Sequence, residues 1–180
     1  KRSAVSYEGT DLKKKVLTGN PVRREISQIR QEDKGDDRRK LGIPDRNQLV
    51  VVTGGSLGAR RINEAIIDAI PKLDGIKNLS IYHIIGRRDW EVLTIPELVE
   101  FIDYKPIEYE TDMPAVLNAA DLIISRAGGS ITAEISVVGV PAVLVPLPHA
   151  PGDHQRKNAN SLADAGAAVI IDDNECTGDN

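Results

Sequence analysis

From residue 49 onward, short aliphatic runs alternate with stretches of helical periodicity, and glycine-rich turns stand between them. Such alternation points to right-handed βαβ units, because parallel neighbours need a crossover long enough to hold a helix. The run at 49–53 (LVVVT) reads as a strand ending in Gly54-Gly55-Ser56-Leu57-Gly58. A helix follows, with Ile62, Ala65, Ile66, Ala69 and Ile70 at spacings of three and four. Further strands are predicted at 79–85, 98–102, 121–125, 142–145 and 167–171. Asp112 is placed to cap a short helix carrying Val116 and Leu117. Two more helices are predicted, over 130–138 and from Asp153 to about residue 165, where Gly166 stops the second. The fold class is therefore α/β, a Rossmann-like doubly wound parallel sheet over 49–180. Ligands of such sheets bind at the carboxyl ends of the strands, which locates the site before any motif is considered.

Upstream the pattern changes. Residues 31–48 (QEDKGDDRRKLGIPDRNQ) are charged, lack apolar periodicity and read as a loop or linker. Before them, 16–23 (VLTGNPVR) reads as a short strand running into a turn, with Pro21 biasing Asn20 away from helix. Aromatics are only 3% of the chain, so Val, Ile, Leu and Ala must build the core. A net charge of −4 offers no basic field for a polyanion, and no nucleic-acid partner is expected. The single cysteine, Cys176, cannot close an internal disulfide, which fits a reducing compartment. Lys1-Arg2-Ser3 leads into no long apolar stretch, so no signal peptide is expected. The greasiest run, 137–147, is broken by Gly139, Pro141 and Pro146 and is too short to span a bilayer. A soluble, cytoplasmic protein able to dock on a membrane surface is the expectation.

Three motifs fall at predicted strand ends. Residues 54–60 (GGSLGAR) would let backbone approach an anion at a helix start, where unpaired N–H groups and the dipole favour negative charge. The plainer reading is a tight turn that needs glycines for packing. No Gly-Lys-Ser/Thr follows, so this is not a Walker loop. The acid expected near the end of the next strand in an NAD site is replaced by Gly86-Arg87-Arg88, which leaves an NADP reading open. Residues 125–134 (SRAGGSITAE) supply a second glycine-rich helix start facing the same crevice. Glu134, one turn in, could accept hydrogen bonds from both hydroxyls of a ribose, or simply favour the helix dipole. In 148–159 (PHAPGDHQRKNA), Gln155 and Asn158 share a helix face, and their amides suit sugar hydroxyls. His149, Asp153 and His154 form an incomplete ligand set, and neither a metal nor a cofactor is called for.

These motifs, in this order, resemble the MurG family, which transfers N-acetylglucosamine from UDP-N-acetylglucosamine to lipid I. The resemblance is carried by TGNPVR (18–23), GGSLGAR (54–60), FID (101–103), SRAGGSITAEI (125–135) and DHQRKNA (153–159). It implies a GT-B architecture of two Rossmann-like domains with the donor between them. This chain would be chiefly the C-terminal, donor-binding half, with 1–30 an interdomain segment, 31–48 a charged loop and 49–180 the UDP-sugar-binding domain. By the same resemblance Arg23 would contact the nucleotide and Ser56 the diphosphate. Ile102 would hold the uracil edge through its backbone, and Gly129, Ser130 and Ile131 would bind phosphate. Glu134 would hold the ribose, and Gln155 with Asn158 the sugar. The chain departs from the family at Leu57, usually Gln, and at Ile131, usually Thr. The family's GGTGGH-like loop, with its histidine proposed for catalysis, has no counterpart in these residues, so a fragment is expected and no catalytic residue is assigned. The implied partners are the UDP-sugar, the lipid-linked acceptor and the inner face of the cytoplasmic membrane. A GT-B enzyme with another acceptor, a donor-binding subunit with a separate catalytic chain, and an NADP-dependent oxidoreductase domain are the competing readings.

Overall fold

The computed structural model describes residues 1–6, 12–30, 33–96 and 102–180. Strands β1 (Ser3–Val5) and β2 (Lys15–Leu17) pair parallel as a small sheet of their own. One-turn helix α1 (Arg24–Ser27) follows the Gly19-Asn20-Pro21 segment and buries Ile26. The main sheet holds six parallel strands: β3 (Gln48–Thr53), β4 (Leu79–Ile84), β5 (Asp103–Ile107), β6 (Leu122–Ser125), β7 (Ala142–Leu144) and β8 (Ala168–Ile170). Their order is β5-β4-β3-β6-β7-β8. The chain thus starts in the middle of the sheet, builds outward to β5, and then crosses back to the other side of β3. This is the doubly wound arrangement expected from the alternation, with its reversal between β3 and β6.

Six further helices accompany these strands: α2 (Lys34–Lys40), α3 (Arg60–Ala69), α4 (Arg87–Trp90), α5 (Met113–Ala119), α6 (Gly129–Val138) and α7 (His154–Asp164). The two-residue period of β3 divides the core between the faces of the sheet. Leu49 and Val51 join Leu117 of α5, Ile135 of α6 and Leu162 of α7, while Val52 joins Ile62 and Ala65 of α3. Each fully buried aliphatic side chain stabilises the fold by roughly 1.5–3 kcal/mol. The predicted cap on α5 is present, since the Asp112 carboxylate accepts from Ala115 N–H at 3.2 Å. Among the described residues no helix is long and apolar enough to cross a membrane.

Two expectations need correction. The strand predicted at 98–102 lies outside the described residues except for Ile102, and the strand that does pair with β4 is Asp103–Ile107. Pro106 hid it, because proline cannot donate to a ladder. Here β5 is an edge strand, where that loss is tolerated. The stretch read as a loop, 31–48, contains α2. This helix has no apolar stripe, and its cations dock on the end of α5 instead. Lys34 Nζ donates to Ala120 O at 2.8 Å, and Arg38 Nε donates to Ala119 O at 3.1 Å. Arg38 also donates to Asn47 O at 2.9 Å and, like Lys34, pairs with Asp121. Basic side chains satisfying the last carbonyls of a neighbouring helix take the place of apolar burial.

A polar chain runs through the α3 face of the core. His83 of β4 is wholly buried, with Nε2 3.0 Å from Asn63 Oδ1 and Nδ1 2.9 Å from the Tyr104 hydroxyl. Asn63 Nδ2 is spent on Ile85 O and Asp89, so its oxygen faces the ring, and His83 is neutral with its proton on Nε2. Burial lowers the imidazole from its ordinary 6.5 to about 4. Because the folded value lies below the unfolded one, the stability tied to neutral His83 is complete above pH 6.5. It drains away as the pH falls towards 4, by an amount on the order of 3 kcal/mol. Urea unfolding should therefore show wild type losing about 3 kcal/mol more than His83→Gln between those two pH values. Equal losses would mean that the charged ring finds compensation inside the fold.

Candidate functional site

Strands β3 and β6 end level with one another, Thr53 opposite Ser125. From there α3 leaves towards one face of the sheet and α6 towards the other, opening a cleft of about 1080 Å³ at the reversal point. Five arginines (Arg23, Arg60, Arg61, Arg88 and Arg126) line it together with three glutamates (Glu64, Glu110 and Glu134).

The first glycine turn serves both packing and access. A Cβ on Gly86, at φ +90°, would lie 2.2 Å from Gly58 N, so these two backbones touch and neither tolerates a side chain. Stacked this way, the turn presents Ser56 and Leu57 to the cleft. Beneath it lies Asp89, fully buried at the far end of the His83–Asn63 chain. Its carboxylate accepts from Asn63 Nδ2 at 3.0 Å and from Arg88 Nε at 3.0 Å, and pairs with Arg60 Nε at 3.4 Å. Arg88 also donates to Gly58 O at 3.2 Å. A buried charge held by three donors thereby fixes two of the arginines that line the cleft.

The second turn starts α6 with Gly128 as N-cap, and Gly128, Ser130 and Ile131 line the cleft. Gly129 does not; Asn20 sits over it, donating from Nδ2 to Gly129 O at 3.1 Å. The Thr132 hydroxyl turns back to Gly128 O at 2.9 Å, so it does not stand in for the hydroxyl missing at Ile131. Glu134 is buried at the cleft wall, and both its oxygens are taken by Arg23: Nε to Oε1 at 2.7 Å and Nη2 to Oε2 at 2.8 Å. This charge-assisted fork raises the already high pKa of the guanidinium. Arg126 ties the ends of β6 and β7 together, donating to Val145 O at 3.2 Å and pairing with Asp173 at 2.5 Å.

Gln155 lines the cleft and accepts from Leu147 N–H at 2.9 Å. Its supposed companion does not. Asn158 is buried, donating from Nδ2 to Ala127 O at 2.8 Å, so it braces the second glycine turn from behind. Ile102 is likewise misplaced as a base contact. It is buried among Val52, Ala59 and Ile62 just before β5, at the amino end of the strand, whereas the cleft opens at the carboxyl ends. The residues that follow β5 reach the cleft instead. Tyr109 stacks on the Arg87 guanidinium at 4.2 Å. Glu110 accepts from the Tyr82 hydroxyl at 2.7 Å and from the N–H groups of Thr111 and Asp112. Burial and the Glu110 carboxylate raise the Tyr82 phenol above its ordinary value. Sequence reasoning missed Tyr109 and Glu110 because the more aliphatic run at 98–102 drew the strand assignment. It missed Asp89 because an acid beside two arginines reads as a solvated face. Among the described residues no group of three or more His, Cys, Asp or Glu could hold a metal.

A doubly wound domain with two glycine-rich helix starts at its reversal point has the form of one half of a GT-B glycosyltransferase. The chain belongs to glycosyltransferase family 28: residues 49–180 match the glycosyltransferase family 28 C-terminal domain. It is 36% identical to the UDP-N-acetylglucosamine--N-acetylmuramyl-(pentapeptide) pyrophosphoryl-undecaprenol N-acetylglucosamine transferase of Exiguobacterium sibiricum, over 99% of this chain and 50% of that protein. It is 40% identical to the enzyme of the same name from Moorella thermoacetica, over 92% of this chain and 45% of that protein. Among solved structures, Acinetobacter baumannii MurG superposes with a TM-score of 0.69 at 32% identity, over 91% of this chain and 46% of that one. The chain thus spans about half the length of the relatives it matches.

The bracing role of Asn158 is open to direct test. Asn158→Ala leaves the Ala127 carbonyl without that donor and should cost about 1–3 kcal/mol in urea unfolding. Gln155→Ala, at the cleft surface, should stay within about 0.5 kcal/mol of wild type.

Proposed function

We propose that this chain forms the donor-binding half of an enzyme that transfers N-acetylglucosamine from its UDP donor to lipid I. The observation that carries this reading is the buried Glu134 carboxylate on α6, standing at the reversal point beside a second glycine-rich helix start. The names of the relatives supply the donor and acceptor. In this reading the diphosphate lies between the 54–60 turn and the start of α6, with Ser56 and Ser130 as hydroxyl donors. Arg60 and Arg88, held by Asp89, add positive charge around it. Glu134 takes the ribose diol and Gln155 the sugar. The base is read after β5, beside Tyr109 and Glu110, rather than at Ile102.

The chemistry would be an inverting displacement at the anomeric carbon, with a general base drawn from elsewhere in the full enzyme. The share of this half is electrostatic. Helix N-termini and fixed arginines stabilise the charge that grows on the departing UDP, and they need no reorganisation as the bond breaks. The full enzyme would work in the cytoplasm, peripheral on the inner face of the membrane, where a lipid-linked acceptor is presented.

Calorimetric titration with UDP-N-acetylglucosamine, UDP-glucose and NADP tests the reading. Binding of the first with NADP silent is the expected result, and NADP binding would replace it with an oxidoreductase reading. Glu134→Ala should weaken UDP-N-acetylglucosamine at least tenfold, about 1.4 kcal/mol or more. Unchanged affinity would remove the ribose assignment.

A further inference from the structure

Under the proposed function, two groups claim the same carboxylate. Both oxygens of Glu134 accept from the Arg23 fork, at 2.7 and 2.8 Å, and Arg23 lines the same cleft through which a ribose diol would have to approach them. The two sides of the ion pair differ in freedom. The Glu134 side chain is 7% exposed on a ten-residue helix, whereas the Arg23 side chain is 44% exposed at the cleft rim. Arg23 is therefore the partner that can leave. Its backbone is anchored nearby, because Asn20 is tied to Gly129 O at 3.1 Å, so the movement falls to the side chain.

We infer that Arg23 is a partner-exchanging residue, closed on Glu134 before donor binds and transferred to the donor diphosphate when the ribose displaces it. The physical reasons run in both directions. An unpaired carboxylate at this depth is costly, so the fork keeps Glu134 satisfied and aimed until a diol replaces it. A diol gives the carboxylate two replacement hydrogen bonds, and the released guanidinium needs a new anion. Arg23 lines the same cleft as Ser56 and Ser130, which places a diphosphate within its surroundings. A nucleoside alone breaks the fork without offering Arg23 a replacement. A nucleoside diphosphate does both, so the exchange favours ligands that carry ribose and phosphates together.

The test compares uridine with UDP on wild type and on Arg23→Met by calorimetry. With its competitor removed, uridine should bind the variant about threefold tighter or better, while the UDP-to-uridine affinity ratio falls at least tenfold. Phenylglyoxal labelling of wild type, read by mass spectrometry at Arg23, supplies a readout that needs no variant. Uridine should speed modification of Arg23, and UDP should slow it. If Arg23→Met weakens uridine and UDP equally, or if uridine protects Arg23, the exchange is wrong and Arg23 merely props Glu134. If wild type binds no UDP, the donor-site reading itself falls, and the exchange with it.

Discussion

The cleft in this chain depends on two parallel strands stopping at the same height. Because Thr53 stands opposite Ser125, the turns after β3 and β6 begin side by side. Strand β3 leads to a neighbour on one side and β6 to a neighbour on the other, so right-handed crossovers send their helices to opposite faces. The wedge between them cannot be filled by either helix, so the fold makes the cleft without help from any functional side chain. Side chains then decide what the cleft accepts. Its walls are two helix starts, its rim carries arginines, and the buried glutamate in its lining belongs to α6.

The two walls are stiffened by different means. Behind the first turn, a continuous hydrogen-bonded chain runs from Tyr104 through His83 and Asn63 to Asp89, and ends on arginines at the cleft. Such a chain is strong only while every member is satisfied, which couples the state of a buried imidazole to the placement of surface cations. Behind the second turn, the support is one amide from α7 reaching the Ala127 carbonyl, with Asn20 crossing from the amino-terminal segment on the other side. The first wall is an integral part of the core, and the second is a clamp assembled from separate elements.

Much of the fold was legible in the sequence. The aliphatic runs of β3, β4 and β6, with Gly54, Gly86 and Gly128 after them, are strong signals, because a parallel strand buried on both sides needs such residues. What escaped was held by other forces. The strand β5 carries Asp, Lys and Pro and forms because an edge position asks less of its residues. The structure gathers Ser56, Ser130, Glu134 and Gln155 into one cleft, as their spacing at strand ends and helix turns implied. Ile102 and Asn158 were misjudged because spacing alone does not say which end of a strand, or which depth of a helix face, a residue occupies. The Arg23–Glu134 fork joins residues far apart in the chain, and no local pattern reveals it.

Helix α2 is held partly by the side chains of Asp121 and Asn118 and partly by main chain. Lys34 and Arg38 grip the carbonyls of Ala119 and Ala120, groups that any residue at those two positions would offer. The partnership is therefore lopsided in what it demands of heredity. On the gripping side, the cations are specific and hard to replace. On the gripped side, size alone is constrained, since both alanines are fully enclosed. Sequences drifting apart could change residues 119 and 120 among small side chains and keep this helix docked, with no matching change in α2 to record the contact.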